Sequence, residues 1–146
     1  MVGQHDGARP ERGRLFARGA VLAGLFLACR GALAVQPCAG VAANLTQAQK
    51  AEYATLVAHA VGGGVRPSQI VLARYMQSGA WSAVYASTPR TDPGVLFFEE
   101  IDGRKQFREA WGGWADRSEQ AKLVDWARKL GAPESLARCF ANVVTH

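Results

Sequence analysis

Residues 95–111 read VLFFEEIDGRKQFREAW, and the parsing of that stretch decides the fold. Asp102-Gly103 separates two runs of branched and aromatic side chains. A two-residue hairpin turn of the I′ type needs positive φ at both central positions, which Asp and Gly accept at low cost. The stretch is therefore expected to form strands 95–101 and 104–111. Pairing runs outward from Ile101 opposite Arg104, through Glu100 opposite Lys105 and Phe98 opposite Phe107, to Leu96 opposite Glu109.

Working upstream, residues 69–77 (QIVLARYMQ) and 80–87 (AWSAVYAS) have the same character, with Ser78-Gly79 as the expected turn. The TPRTDPG segment at 88–94 holds two prolines and joins the hairpins as a loop. Thr46 with Gln49 makes a capping-box pattern, after which Tyr53, Leu56, Val57, Ala60 and Val61 form one helical apolar stripe. Gly62-Gly63-Gly64 ends that helix.

Downstream, Gly112-Gly113 closes the strand region. Asp116 with Glu119, or Ser118, caps a second helix carrying Leu123, Val124, Ala127 and Leu130, which Gly131 stops. Pro133 opens a third helix with Leu136, Cys139, Phe140 and Val143 on one face. The fold class is α+β: a helix, a four-stranded antiparallel sheet of two hairpins, then two C-terminal helices, with the helices expected on one face of the sheet.

The chain has 146 residues, 17 Lys and Arg against 12 Asp and Glu, and three Cys. That is too short for two ordinary domains and too apolar for intrinsic disorder. Its front end reads as an export signal. Arg9, Arg12, Arg14 and Arg18 form a basic region, Gly19 to Ala28 is an uninterrupted apolar run, and Ala32-Leu33-Ala34 supplies a small-x-small cleavage pattern. The expectation is a cleaved signal peptide over 1–34 and one globular domain over 35–146. Arg30 interrupts the apolar run well short of the roughly 20 residues needed to cross a bilayer. A minor alternative acylates Cys29 and leaves a lipid anchor; otherwise no membrane anchor remains after cleavage.

Cleavage would remove five Arg (9, 12, 14, 18 and 30) together with Asp6 and Glu11, lowering 17 bases to 12, 12 acids to 10 and the net charge from +5 to +2. The high isoelectric point then belongs to the discarded segment, so no nucleic-acid partner is implied. Two cysteines remain, Cys38 and Cys139. In a secreted or periplasmic compartment such a pair is expected to be a disulfide, and closing a loop of about 100 residues is worth about 4 to 5 kcal/mol in the chain-entropy account.

Catalytic signatures are sparse. His59 lies opposite the apolar stripe of its helix, His146 is terminal, and there is no HExxH, no C-x-x-C and no G-x-S-x-G, so no metal and no cofactor is expected. The triple glycine follows a helix instead of opening one, unlike a phosphate loop. Asn44-Leu45-Thr46 matches a glycosylation sequon.

Two sets of residues stand out as candidate binding groups. Arg74 interrupts the apolar set Ile70, Leu72 and Met76, and Glu109 shares a face with Phe107 and Trp111. If those faces are covered, the two charges are expected to share a polar pocket. If they are solvated, Val95, Phe97 and Ile101 turn inward instead. The second set is aromatic: Trp81 and Tyr85 on one strand face, and Trp111 and Trp114 around a flexible Gly-Gly, residue types that stack on sugars and anchor protein interfaces. Trp126 reads as packing beside Leu123 and Leu130.

The expectation is a secreted or periplasmic, non-enzymatic domain that binds another protein, as an inhibitor or accessory factor. The alternatives are a glycan or cell-wall binder using Trp81, Trp111 and Trp114, and a small hydrolase using Glu109.

Overall fold

The computed structural model describes residues 35–145. The expected signal over 1–34, the alternative acylation at Cys29 and the terminal His146 lie outside the described residues.

The chain forms α1 (Gln47–Val61), β1 (Val71–Ser78), β2 (Trp81–Ser87), β3 (Gly94–Ile101), β4 (Arg104–Gly112), α2 (Gln120–Lys129) and α3 (Glu134–Val144). Short 3-10 turns at Pro67–Gln69 and Arg117–Glu119 precede β1 and α2. The strands make an antiparallel meander in the order β1-β2-β3-β4, so β1 and β4 are the two edges. This is the α+β arrangement expected from the sequence. Thr46 caps α1 with a reciprocal pair: its Oγ1 accepts from the Gln49 amide at 3.2 Å, and the Gln49 side chain accepts from the Thr46 amide at 2.9 Å.

The placement of the helices differs from expectation, because they cover both faces of the sheet. On one face Tyr53 and Val57 of α1 bury Tyr75, Val84, Leu96 and Phe98. On the other, Leu123 and Ala127 of α2 and Leu136 and Phe140 of α3 bury Met76, Ala83, Val95 and Phe97. The cause is legible in β3. Val95, Leu96, Phe97 and Phe98 are consecutive and all buried, and alternate side chains of a strand point to opposite faces. Four apolar residues in a row therefore require cover on both sides.

Each edge strand carries a bulge that resets its alternation. In β1 the register jumps between Leu72, opposite Ala86, and Arg74, opposite Tyr85, leaving Ala73 extra. Leu72 thereby packs on the α1 side instead of sharing a face with Met76. In the second hairpin Phe98 faces Phe107 as expected, but Phe97 faces Glu109 and Leu96 faces Ala110, so Arg108 is the extra residue. A bulge bends its strand and re-aims the side chains beyond the extra residue.

The turns follow φ. Asp102 (φ 50°) and Gly103 (φ 73°) both lie in the left-handed region, as a I′ loop demands. The first hairpin turns one residue later than expected, at Gly79-Ala80 with Ser78 opposite Trp81, because Gly79 (φ 59°) takes the first central position of the loop. Pro133 stands one residue before α3, as its cap, instead of inside its first turn.

Cys38 and Cys139 form a disulfide across 101 residues of sequence, joining the segment before α1 to the buried face of α3. A bridged pair is compatible with an oxidising, extracellular or periplasmic environment.

Candidate functional site

A cavity of about 670 Å³ runs beside β1. Leu72, Ala73, Arg74, Tyr75 and Met76, five consecutive residues, line it. Consecutive residues of a strand can line one cavity only where it lies along the strand's edge, since alternate side chains leave by opposite faces. The segment from Cys38 to Leu45 and Lys50 at the start of α1 form one wall, and Cys139 and Val143 of α3 form the other.

The backbone of this edge is used at one end. Ala42 and Gln77 exchange both hydrogen bonds, each 2.9 Å, in an isolated antiparallel bridge. The chain then leaves the sheet toward α1. In an antiparallel ladder, alternate residues direct their N–H and C=O away from the neighbouring strand, so the next outward position after Gln77 is Tyr75. Val71, at the far end of the same edge, is 63% exposed.

Two of the cavity's lining residues are cations, Lys50 and Arg74, and none is an anion. Neither makes an ion pair among the described residues. The other lining residues are apolar apart from the Asn44 amide and the Tyr75 phenol, so a negative group entering the cavity would meet positive charge with no carboxylate beside it.

Arg74 and Glu109 do not form the pocket expected of them. Both are exposed, on opposite edges of the sheet, with β2 and β3 between them. Three strand spacings amount to about 14 Å, too far for a shared pocket. The Arg108 bulge also separates Phe107 from Glu109. Phe107 lies against Phe98 on the α1 side with ring centroids 6.0 Å apart, while Glu109 opposes Phe97. The Glu109 carboxylate accepts from the Ala110 amide at 3.0 Å.

The aromatic candidates divide by burial. Trp81 is 6% exposed and stacks its indole edge against Gly131, with Arg108 over its ring at 5.9 Å. It is a core residue. Trp111 packs edge-on against Phe140 at 5.8 Å and is half-buried. Trp114 is 77% exposed and stands between two cavities. One, about 130 Å³, brings it together with Arg74 and Tyr85. The other, about 390 Å³, joins it to Trp111, Trp126, Glu119 and Lys122. Trp126 thus does more than pack, since one part of it contacts Phe97 and Phe140 while another lines that cleft.

Three of the six candidate residues, Arg74, Tyr85 and Trp114, are therefore brought together, and Trp111 adjoins them. Trp81 and Glu109 are not part of that group. Sequence reasoning missed Lys50, the disulfide's place in the wall and the cleft face of Trp126. Lys50 carried a weak signal, as a lone cation in the first turn of a helix whose stripe lies elsewhere. The Ala42–Gln77 bridge that brings its wall to β1 joins residues far apart in sequence and has no local signature.

Lys105 on β4 shows how the α1 face is fastened. Its expected partner Glu100 is 3.8 Å away, but Glu52 of α1 is closer, at 2.8 Å. The hydrogen bond to Glu52 raises the Lys105 ammonium above its usual range. Beneath it, Tyr53 donates to Ser82 at 2.8 Å and Tyr75 donates to Gln77 at 2.6 Å, and burial raises both phenols.

No protein-family model, no curated protein and no solved structure matches this chain.

Proposed function

We propose that this chain is a secreted or periplasmic, non-enzymatic binding domain that engages another protein along the open side of β1. One observation carries the reading: a cavity of about 670 Å³ lies along an edge strand whose outward ladder bonding, among the described residues, is taken up only at Gln77. Cavities of that size are typical of ligand sites, and a free strand edge is a template for partner recognition. Placement outside the cytosol rests on the export signal read in the sequence and on the Cys38–Cys139 bridge.

The experiment places a photoreactive phenylalanine analogue at Val71, beside the cavity, or at Gln106 on the opposite edge, and irradiates the cells that produce the protein. Covalent adducts from position 71 and not from position 106 support the reading. Equal or absent adducts at the two positions refute it.

A second reading, glycan binding, is favoured by the cleft of about 390 Å³ in which Trp111, Trp114 and Trp126 accompany Glu119 and Lys122. Indole faces stack on sugars, and the two charged residues offer hydrogen bonds to hydroxyl groups. It replaces Trp81 with Trp126 in the expected set. Its test is tryptophan fluorescence on adding peptidoglycan fragments or soluble polysaccharide, compared with Trp114→Ala. A response that persists unchanged in the variant refutes it.

A further inference from the structure

We infer that the occupant of the β1 cavity is an extended, acidic polypeptide segment of another protein, which adds to β1 as a fifth strand. This rests on the reading above, that partners bind along β1, and goes further by naming the partner's chemistry and its mode of attachment.

Two independent features lead there. The first is backbone. Segment 38–45 already begins a fifth strand through the Ala42–Gln77 bridge and then departs, leaving the edge from Leu72 to Met76 bordered by the cavity. That length is about 13 Å at the rise of a strand, room for an added segment of about five residues. A strand added there continues the line that Ala42 starts, and its N–H and C=O groups meet those of β1 that point outward. The second is charge. Lys50 and Arg74 flank the same stretch, no carboxylate lines the cavity, and neither cation has an ion-pair partner among the described residues.

A second copy of this chain is the other candidate occupant, and the same charges argue against it. A two-fold pairing of β1 with itself brings Arg74 and Lys50 of one protomer toward those of its partner, and like charges across an interface disfavour association. The β4 edge is also a poorer platform. Arg104, Arg108 and Glu109 stand exposed along it, and the cavity that Phe107, Ala110, Trp111 and Gly112 help to line is smaller, about 270 Å³.

The test uses a pool of acetylated and amidated heptapeptides in which Glu alternates with Val, Ile, Thr, Leu or Phe, and a matched pool with Lys in place of Glu. The oxidised protein, purified as its producing cells make it, should retain the acidic pool about tenfold better than the basic one. The double variant Lys50→Glu/Arg74→Glu, with an unchanged melting temperature, should abolish or reverse that preference. Peptides from the retained set are then N-methylated at even or at odd positions. Strand addition requires one phase to lose binding and the other to keep it, because only alternate amides face β1.

No preference for the acidic pool, preference that survives both charge reversals, equal tolerance of both N-methylation phases, or a concentration-dependent dimer blocked by Arg74→Glu would each overturn the inference. The equal-tolerance outcome would mark a diffuse attraction for anions. If the crosslinker at position 71 traps a macromolecule while the acidic pool fails, the inference falls and the binding reading stands. If position 71 traps nothing beyond position 106, the binding reading falls with it.

Discussion

A Cβ placed on Gly94 would stand 2.7 Å from the carbonyl oxygen of Trp111 and 3.3 Å from the Cα of Gly112. The first residue of β3 and the end of β4 approach backbone to backbone, with no room for a side chain between them. Gly94→Ala must push the strands apart and should cost about 2 kcal/mol, by analogy with other overpacked sites. Gly112→Ala, whose Cβ would meet nothing within 4 Å, is the control and should cost little. Urea titration of the two variants checks the difference, and equal midpoints would contradict the close approach.

The indoles should separate into core and surface on the same measurement. Trp81→Ala removes a buried ring that touches Gly131 and should cost about 3 to 5 kcal/mol. Trp114→Ala removes an exposed one and should change stability by no more than about 0.5 kcal/mol. A large loss at Trp114 would mean that it is structural and would weaken both cavities as binding sites.

Tyr53 and Ser82 form a buried pair, with the phenol fully enclosed and the serine 3% exposed. Removing either hydroxyl leaves the other without this partner, at about 1 to 3 kcal/mol. Tyr53→Phe/Ser82→Ala removes both and should cost less than the two single changes added together, with a coupling of about 1 kcal/mol. Strict additivity in the cycle would show that the bond contributes nothing.

Alkaline pH should unfold this protein earlier than a solvated surface would suggest. Burial raises the Tyr53 and Tyr75 phenols above their ordinary value of 10, and the Glu52 bond raises Lys105 above 10.5. In each case the unfolded chain releases its proton first, so the stability gained is fully present below about pH 10 and drains away as pH rises through the folded values. Melting temperature measured from pH 8 to 12 should therefore fall steeply above about pH 10. Tyr75→Phe should flatten that fall, and an unchanged slope would remove Tyr75 from the account.

The elements of the fold were readable in the sequence because their signals are local. The Thr46–Gln49 cap, the Asp102-Gly103 turn, the glycine stop at Gly131 and the apolar periods of the three helices each act within a few residues. What alternation could not supply was the phase of the edge strands, since one extra residue at Ala73 and another at Arg108 invert every side chain beyond it. The proposed Arg74–Glu109 pair failed because strand order places the two residues on opposite edges, although both lie on the α2–α3 side, Arg74 beside Met76 and Glu109 opposite Phe97. Cover on both faces was written in VLFF at 95–98, a continuous run that fits a strand enclosed between two layers better than one half exposed to water. The groove beside β1 was not legible, because the Ala42 bridge and the Cys38–Cys139 wall are contacts between distant parts of the chain.

The covalent link between Cys38 and Cys139 also sets the path of mechanical load. Every strand and the whole of α1 and α2 lie inside the ring it closes. Tension applied between the chain's two ends therefore passes from residue 38 to residue 139 through sulfur, and the sheet carries none of it. A domain held at one end and pulled at the other would keep its β1 edge in register under force, for as long as its surroundings stay oxidising.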